Sequence, residues 1–387
     1  MKKRRLKKKV TIFILLILTL LSLVVLGYVE LTNKKEPSKT EQKEKEPEEE
    51  KIKTYNLSLA ATGDALLHMA VIRDGKQNDG TYDFSHQLTH IKEVLKDYDL
   101  AYYNQETMLG GSSLGLSGYP QFNSPTEVGE AFIDAGFNLV SLATNHTLDG
   151  RYRYGNKAIT NSRNFWNKQE GVIAAGSYTS QEERDKVIIQ EVNGIKYALL
   201  SYTTSTNGIT VPSGQSYLVN VYSDSKAKKD IEAYRDKVDV LMVAMHWGVE
   251  YVHYPVTEQK NIAKFLAKND VDIIIGCHPH VIQPIDMIDD TLVIYSLGNF
   301  VSNQDTVAKL TGLMASVTIK KRNYHGETTI SFEDITGDLI YTSKSNKHVV
   351  YPYSKLTNKI LNNYKSHYTK FSKYVTAYSD KVKMRGL

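Results

Sequence analysis

Short apolar runs alternate with longer amphipathic segments along the chain beyond Tyr55, and this alternation predicts an α/β domain. The apolar runs are rich in β-branched or alternating residues, so we expect them to form strands. The predicted strands span residues 56–62, 100–103, 139–143, 172–175, 240–244 and 271–275. The predicted helices between them span residues 84–96, 125–135, 156–169, 225–238 and 257–269.

Hairpin signals interrupt this alternation. The turns Asn193-Gly194 and Asp289-Asp290 each join two apolar runs, as hairpin turns do. The joined runs are 187–191 with 196–201, and 281–287 with 291–295. Short alternating strands, such as 314–319, follow Leu310. Because hairpins and strand–helix units occur in one domain, we expect two stacked sheets flanked by helices.

The N-terminus combines a basic block at residues 1–9 with an uncharged apolar run at residues 10–29. About 20 apolar residues can cross a membrane as a helix, and a preceding basic block predicts a cytoplasmic N-terminus. We therefore predict a single-pass membrane anchor with the main domain, residues 55–344, outside the cell. A cleaved signal peptide is the alternative, although the run lacks a clear small-x-small cleavage site. Residues 30–54 are rich in Lys, Glu and Pro and are predicted to form a flexible charged linker.

Length and charge narrow the picture further. The 387 residues suffice for one large α/β domain with appendages, and the single Cys excludes an internal disulfide framework. The net charge of +5 resides at the ends, with +7 in residues 1–9 and +8 in residues 345–387, which leaves about −10 for the middle. This distribution argues against nucleic acid as a partner. The Tyr-rich segment 345–387 is predicted to be a solvated tail with a helix near 356–368; contact with a membrane or an anionic polymer is the alternative.

Polar residues follow the predicted strands at the point where each strand ends. Ligands bind outside the carboxyl ends of strands in α/β sheets, so these side chains are expected to face one cleft. The residues are Asp64, Glu106, Asn145, His146, His246, His278 and His280. The last two directly follow the strand 271–275, so their imidazoles can converge on one ion.

These residue types suit a dinuclear metal site, in which carboxylates share charge between two ions and imidazole and amide groups fill the outer positions. The predicted ligands are Asp64, Glu106, Asn145, His246, His278 and His280. A metal-bridged hydroxide would be the nucleophile and His146 a general acid. Asp149 is predicted either to orient His146 or to form a turn. Each residue alone also fits a turn, a helix cap or a buried hydrogen-bonded role.

Five further residues are assigned less definite roles. His68, Glu250 and His253 are secondary candidates for the site. Cys277 is expected to pack in the core, because a thiolate would be an unusual additional ligand here. Asn299 is expected either to line the cleft or to form a plain turn.

Six motifs follow one another along the chain. They are Gly63-Asp64, Asn104-x-Glu106, Asn145-His146-x-x-Asp149, His246-Trp247-Gly248-x-Glu250-Tyr251, Gly276-x-His278-Pro279-His280 and Ser296-Leu297-Gly298-Asn299-Phe300. As an ordered set they resemble the CapA family of bacterial capsule and poly-γ-glutamate synthesis proteins, over roughly residues 57–301. The resemblance implies a calcineurin-like metallophosphoesterase fold, an α/β/β/α sandwich. It also implies that the six predicted ligands bind two Mn, Fe or Zn ions, with His146 catalytic.

The resemblance further implies a membrane-anchored domain that acts in the synthesis and export of an anionic polymer. Its implied partners are the membrane and either the polymer or synthase subunits. Two alternatives stay open: a non-catalytic polymer-binding or scaffolding subunit, and a phosphodiesterase acting on another cell-surface substrate. The chain departs from the family at two points. Leu66 stands where metallophosphoesterases usually carry the His of Asp-x-His, which removes one ligand, and the segment 150–155 is longer than the usual Asp-Tyr-Gly.

Overall fold

The computed structural model describes residues 52–387. The predicted cytoplasmic segment 1–9, the anchor 10–29 and residues 30–51 of the predicted linker lie outside the described residues. Within the described part of the chain, no helix has both the length and the apolar composition of a membrane span.

Fifteen strands occur in residues 52–387. In chain order they are β1 (Lys53–Ala65), β2 (Leu100–Asn104), β3 (Leu139–Ser141), β4 (Ile173–Ala175), β5 (Ile189–Val192), β6 (Ile195–Thr203), β7 (Val240–His246), β8 (Ile273–Cys277), β9 (Ile285–Ile288), β10 (Thr291–Ile294), β11 (Asn299–Val301), β12 (Thr311–Tyr324), β13 (Glu327–Ser343), β14 (Val349–Pro352) and β15 (Lys383–Met384).

Ten α-helices accompany them in the same residues. In chain order they are α1 (Met69–Gly75), α2 (Ser85–Leu95), α3 (Glu127–Asp134), α4 (Arg151–Tyr154), α5 (Lys157–Trp166), α6 (Gln181–Asp185), α7 (Asp224–Tyr234), α8 (Thr257–Lys268), α9 (Val307–Leu310) and α10 (Tyr364–Val375). Several begin at a hydroxyl cap: the Ser223 side chain, for example, accepts a hydrogen bond from the Lys226 backbone N–H at the start of α7.

The strands form two sheets. The larger sheet has the order β14-β13-β12-β1-β2-β3-β4, with β11 beside β1 and β15 beside β13. Strands β1 to β4 run parallel, whereas β12, β13 and β14 are antiparallel neighbours. The smaller sheet has the order β5-β6-β7-β8-β10-β9, and β6, β7, β8 and β10 run parallel. Every residue of β7 and β8 is buried, as parallel strands covered on both faces require.

The two sheets pack face to face. Leu59 and Leu313 from the larger sheet meet Met242 and Ile275 from the smaller sheet in one apolar cluster. Side chains alternate between the two faces of a strand. The residues next to these four in their strands therefore point outward, into two further apolar clusters, one on the outer face of each sheet.

Helices cover both outer faces. Leu88 of α2 and Phe132 of α3 pack against the larger sheet. Ile231 of α7 and Leu266 of α8 pack against the smaller sheet. The layers therefore run helix, sheet, sheet, helix, as expected from the mixture of hairpins and strand–helix units.

The segment 345–387 is part of this fold, which differs from the predicted solvated tail. Strand β14 continues the larger sheet beside β13, and β15 pairs with β13 as well. Helix α10 buries Phe371 and Val375 in the cluster between the sheets. The helix predicted near 356–368 begins only at Tyr364. The basic residues of this segment therefore flank apolar side chains that are buried in the domain.

The start of the folded domain also differs from its prediction. Strand β1 begins at Lys53, inside the predicted linker, because the long strand β12 offers pairing partners as far as Lys53 opposite Asn323. The short strands predicted after Leu310 are instead strands of 14 and 17 residues, β12 and β13. Their tips are partly exposed, which weakens the apolar pattern that marks a strand.

Candidate metal centre

The predicted site residues all lie at one edge, where the carboxyl ends of the parallel strands of both sheets meet. The larger sheet contributes Asp64, Glu106, Asn145 and His146, and the smaller sheet contributes His246, His278 and His280. Strand β1 passes close to the segment before β11, and this close approach fixes the position of Asp64. A Cβ atom at Gly63 would lie 1.7 Å from the Gly298 carbonyl oxygen, which accepts a hydrogen bond from the Asp64 N–H at 2.9 Å. Glycine is therefore required beside Asp64.

Two carboxylates are fully buried at this edge, and their environments differ. Asn104 Nδ2 donates to Asp64 Oδ1 at 2.7 Å, and the His278 N–H donates to Asp64 Oδ2 at 3.2 Å. Glu106 is 1% exposed, and neither of its oxygens has a hydrogen-bond partner. Its Oε1 lies 3.6 Å from His280 Nε2 and 3.8 Å from His246 Nε2. A buried carboxylate without hydrogen bonds needs a cation nearby.

Three imidazoles surround the carboxylates with their nitrogens facing one another. His246 Nε2 lies 2.9 Å from Asn145 Oδ1 and 3.2 Å from His278 Nδ1. His280 Nδ1 lies 3.4 Å from Asp64 Oδ2. A single proton on His246 Nε2 cannot satisfy all the lone pairs directed at it. The donor atoms thus converge as they would around a cation.

The turn that carries two of these imidazoles has an uncommon backbone. His278 and His280 have φ values of 96° and 57°, in the left-handed region that residues with side chains rarely adopt. Such conformations cost about 1–3 kcal/mol each and persist where the surroundings impose them. Here the hydrogen bond from the His278 N–H to Asp64 helps to hold the turn.

Burial and charge set the protonation of the cluster. Burial, together with the neighbouring histidines, lowers the pKa of His246 well below 6.5 and that of His278 to about 4. Burial alone would lower the pKa of His280, but the carboxylates of Glu106 and Asp64 raise it to about 9. Burial raises the pKa of Glu106. The metal-free cluster therefore keeps a proton between His280 and the carboxylates, where a bound cation would replace it.

The residues present fit a metal ion. One ligand atom each from Glu106, His278 and His280 lies within 4.8 Å of the others. A carboxylate with two imidazoles is a usual donor set for Zn, Mn or Fe. Asp64 and His246 border this group: Asp64 Oδ2 lies 3.4 Å from His280 Nδ1, and His246 Nε2 lies 3.2 Å from His278 Nδ1. The unpartnered Glu106 carboxylate is the specific feature that a cation would satisfy.

His146 lies beside this group and is held by Asp149. Its Nδ1 is 2.7 Å from Asp149 Oδ2, which also accepts a hydrogen bond from the Phe122 N–H at 2.7 Å. The Phe122 ring packs edge-on against the imidazole at 4.7 Å. Asp149 thus orients His146, the first of its two predicted roles, and leaves the other ring nitrogen for chemistry.

Two amide side chains that were not among the predicted site residues complete the surroundings. Asn104 contacts both Asp64 and His246, at 2.7 Å and 3.2 Å. Asn207 Oδ1 accepts a hydrogen bond from Asn145 Nδ2 at 3.3 Å, which directs Asn145 Oδ1 toward His246. Asn104 ends β2 and belongs to the motif Asn104-x-Glu106, of which only Glu106 was predicted as a site residue. Asn207 follows β6, another parallel strand, which the sequence suggested only as half of a hairpin.

Asn299, the fifth of the less definite residues, lines the cluster. Its Oδ1 lies 3.0 Å from His280 Nδ1, and it pairs with Asp64 across β1 and β11. His253 instead stacks on Tyr374 at 4.1 Å, with its Nδ1 2.9 Å from the Ile282 carbonyl oxygen. Asn299 is therefore a neighbour of the candidate ligands, whereas His253 supports a neighbouring loop.

The remaining residues that were assigned less definite roles, together with Leu66 of the first motif, also lie either in the core or near the metal centre. Cys277 is buried in the cluster between the sheets, as predicted. Leu66 is buried too, so no imidazole occupies that place in the first motif. His68 is half-buried, and burial together with the charges of His280 and His146 lowers its pKa to about 4. Glu250 is exposed, and its charge reaches both Glu106 and the histidine turn.

Comparisons with known proteins agree with the motif order. The family model of the bacterial capsule synthesis protein PGA_cap matches residues 58–304, more than half of the chain. The PGA biosynthesis protein CapA of Bacillus subtilis is 26% identical over 283 residues, which cover 70% of each chain. The capsule biosynthesis protein CapA of Bacillus anthracis is 26% identical over 317 residues, covering 78% of this chain and 71% of that protein.

Two solved structures show weaker similarity. A Staphylococcus aureus protein assigned as a 5′-nucleotidase, solved with α-ketoglutarate, has a TM-score of 0.47 and 14% identity, and the match covers 81% of this chain. The Haemophilus influenzae NAD nucleotidase NadN has a TM-score of 0.43 and 13% identity, covering 86% of this chain. This chain spans 58% and 57% of the lengths of those two structures.

Proposed function

Because the chain belongs to the bacterial capsule synthesis protein PGA_cap family, or CapA family, we propose that it is a metal-dependent hydrolase acting in capsule or poly-γ-glutamate synthesis. We infer that its sandwich is of the metallophosphoesterase type. The observation that carries the proposal is the Glu106 carboxylate, which is buried, has no hydrogen bond and faces two imidazoles.

We propose two metal ions, Mn, Fe or Zn, held by the residues that meet at the strand ends. The ligands would be Asp64, Glu106, Asn145, His246, His278 and His280. Bound ions of this kind polarise an ester or amide oxygen and activate water. Asp64 and Glu106 are both buried, and they would supply the negative charge that two cations need.

His146 would supply the proton for the leaving group. Its Nδ1 lies 2.7 Å from Asp149 Oδ2, so the ring is held in one orientation and its other nitrogen can donate a proton. Phe122 packs against the ring and limits its rotation. This arrangement supports a role for His146 as a general acid rather than as a ligand. Asp149 and the His146 ring hold each other in place, and the ring is not part of the group of donor atoms that converge on the candidate metal position.

We further propose that residues 10–29 anchor the protein in the cell membrane, with residues 55–387 outside the cell. Its partners there would be the anionic polymer or the subunits that synthesise it. Protease added to intact cells should then remove the domain, whereas a cytoplasmic control protein should survive. Full protection of the domain in intact cells, with digestion after lysis, would contradict this orientation.

Metal analysis of the full-length protein tests the central claim. Wild type should retain Mn, Fe or Zn, and Asp64→Asn and His278→Ala should lower the metal content at least ~10-fold, since each removes a direct ligand. Asp134→Asn, which changes a surface carboxylate on α3, should leave it unchanged. Absence of metal from reconstituted wild type, together with normal surface polymer in cells carrying the ligand variants, would exclude the proposed site.

A non-catalytic subunit is the outcome to be distinguished from a hydrolase. His146→Ala should keep its metal but lose surface polymer in cells. If the metal is retained and polymer production is normal, the metal has a structural role and the protein acts by binding.

A further inference from the structure

Large apolar side chains are concentrated on the surface beside the metal centre. Twelve large hydrophobic residues of the described chain are well exposed, and five of them lie in one place. We call these five the tyrosine face: Val249, Tyr251, Val252, Tyr254 and Tyr378. Four of them occupy the loop that follows β7, and the fifth follows α10. Such clustering marks an interaction surface more often than single exposed residues do.

The tyrosine face is ordered by contacts to the core of the domain. The Tyr254 ring lies 5.7 Å from the ring of Tyr374 and 6.3 Å from that of Tyr378. His253 stacks on Tyr374 at 4.1 Å, which attaches the loop to α10. A surface that is already ordered loses little conformational entropy when it binds a partner.

The tyrosine face continues into the metal centre. The Tyr251 N–H donates to the Pro279 carbonyl oxygen at 2.7 Å, inside the turn that carries the two candidate ligands. The Tyr251 ring lies 6.0 Å from the ring of His280. A chain lying along the tyrosine face would therefore reach the candidate metal ligands.

Lysines border the tyrosine face. Lys260 Nζ lies 5.7 Å above the Tyr378 ring, and Lys309 Nζ lies 4.0 Å above the Tyr251 ring. The charge of Lys370 adds to burial in lowering the pKa of His253. Lys260 and Lys370 have no ion pair among residues 52–387, whereas Lys309 pairs with the exposed Asp305 at 2.9 Å. The positive charge at this border is thus largely uncompensated.

One carboxylate, Glu250, precedes Tyr251 in the loop and lies at the metal-centre end of the tyrosine face. The charge of Glu250 acts on Glu106, His278 and His280, so this carboxylate belongs to the metal-centre end of the loop. Helices α8 and α10 carry six lysines against one carboxylate, Glu258, so the net charge of these two helices is positive. A polyanion can be held by these helices while one unit of it reaches the metal.

We propose that the tyrosine face and Lys260 and Lys370 bind an extended polymer that carries a carboxylate on each unit, and that they lead it to the metal centre. This proposal rests on the proposed function for the identity of the polymer. Lysine ammonium groups pair with the carboxylates, and tyrosine rings pack against the methylene groups between them. A membrane with anionic lipids would also suit lysine and tyrosine, but the continuity of the face with the His280 turn favours a substrate chain.

The test compares three probes on full-length protein held in phosphatidylcholine nanodiscs. The probes are a fluorescein-labelled glutamate oligomer, a glutamine oligomer of the same length, and vesicles of phosphatidylcholine and phosphatidylglycerol. We expect wild type to bind the glutamate oligomer in preference to the other two. Lys260→Ala combined with Lys370→Ala, and separately Tyr254→Ser, should each weaken that binding by ~10-fold or more, or ~1.4 kcal/mol.

Matched variants and metal analysis distinguish a failure of this proposal from a failure of the proposed function. Tyr324→Ser and Lys228→Ala change an equally exposed tyrosine and an exposed lysine away from the tyrosine face and should bind like wild type. All variants should keep their metal. The proposal is overturned if wild type does not bind the glutamate oligomer, if the variants of the face bind it as wild type does, or if vesicles alone are bound. Loss of metal from wild type would instead contradict the proposed function, whatever the oligomer does.

Discussion

Replacing Glu106 by Gln removes a buried charge with almost no change of shape, and its effect should differ between the metal-free and the metal-loaded protein. Without metal, Glu106 is 1% exposed, and neither oxygen is hydrogen-bonded. In Glu106→Gln, His280 keeps the Asp64 carboxylate 3.4 Å away, so its charge is not left unpaired. A buried carboxylate without hydrogen bonds carries a desolvation cost of several kcal/mol, and the neutral amide of Gln lowers that cost. We therefore expect the metal-free free energy of unfolding to stay the same or rise.

With metal, the same substitution should remove most of the stabilisation. Metal at 100 times its Kd stabilises wild type by about 2.7 kcal/mol. If Glu106→Gln weakens binding ~100-fold, the same metal concentration contributes only about 0.4 kcal/mol. Thermal unfolding with chelator and with added Zn²⁺ or Mn²⁺ measures both quantities. Glu170→Gln, at an exposed carboxylate, is the control. A metal-induced shift in Glu106→Gln equal to that of wild type would refute a role for Glu106 as a ligand.

Three further outcomes are expected. Asp149→Asn should lower hydrolysis of a chromogenic phosphodiester by about 10²-fold, because the carboxylate that orients the His146 ring is lost, while metal content stays constant; a parallel loss of metal would contradict a role of Asp149 that is separate from metal binding. Hydrogen bonds from Arg163 and neighbouring groups outweigh burial and lower the pKa of Glu183 from 4.5 to about 2. The unfolding free energy of wild type should therefore exceed that of Glu183→Gln above pH 4.5, and the difference should vanish as the pH falls toward 2; a difference independent of pH in denaturant titrations would exclude this linkage. Leu313→Ala, between the sheets, should cost about 2–5 kcal/mol in the same titrations, and a loss below 1 kcal/mol would contradict the packing described.

The convergence of the candidate ligands could be predicted from the sequence, because a strand-end rule relates distant residues through the sheet. The apolar run before His278, for example, predicts a strand, and its first polar residue must then lie at the edge of the sheet. The structure places His278 3.2 Å from His246, which ends the neighbouring strand. Neither spacing nor composition predicts the unpartnered state of Glu106, since that depends on which side chains fill the space around it.

The C-terminal segment shows why other predictions differ from the structure. A helix is predicted near 356–368, and Leu356 and Leu361 within that range are both buried. They lie in turns instead, and α10 uses Phe371 and Val375, spaced four residues apart among lysines. Two apolar pairs could form the buried face of a helix, Leu356 with Leu361 and Phe371 with Val375. The surface that the helix packs against decides which pair does so. That surface includes strands far away in the chain, so a local pattern cannot distinguish them.

The place of β1 in the larger sheet affects how a newly made chain can fold. One edge of β1 pairs with β2, which follows soon in the chain, but its other edge pairs with β12, which begins at Thr311. At synthesis rates of about 5–20 residues per second, the roughly 250 residues between β1 and β12 take about 12–50 seconds to emerge from the ribosome. During that time an apolar strand has one open edge that can pair with the wrong segment. A chain of this protein that is synthesised without export should therefore depend on a holding chaperone at β1 until β12 is complete.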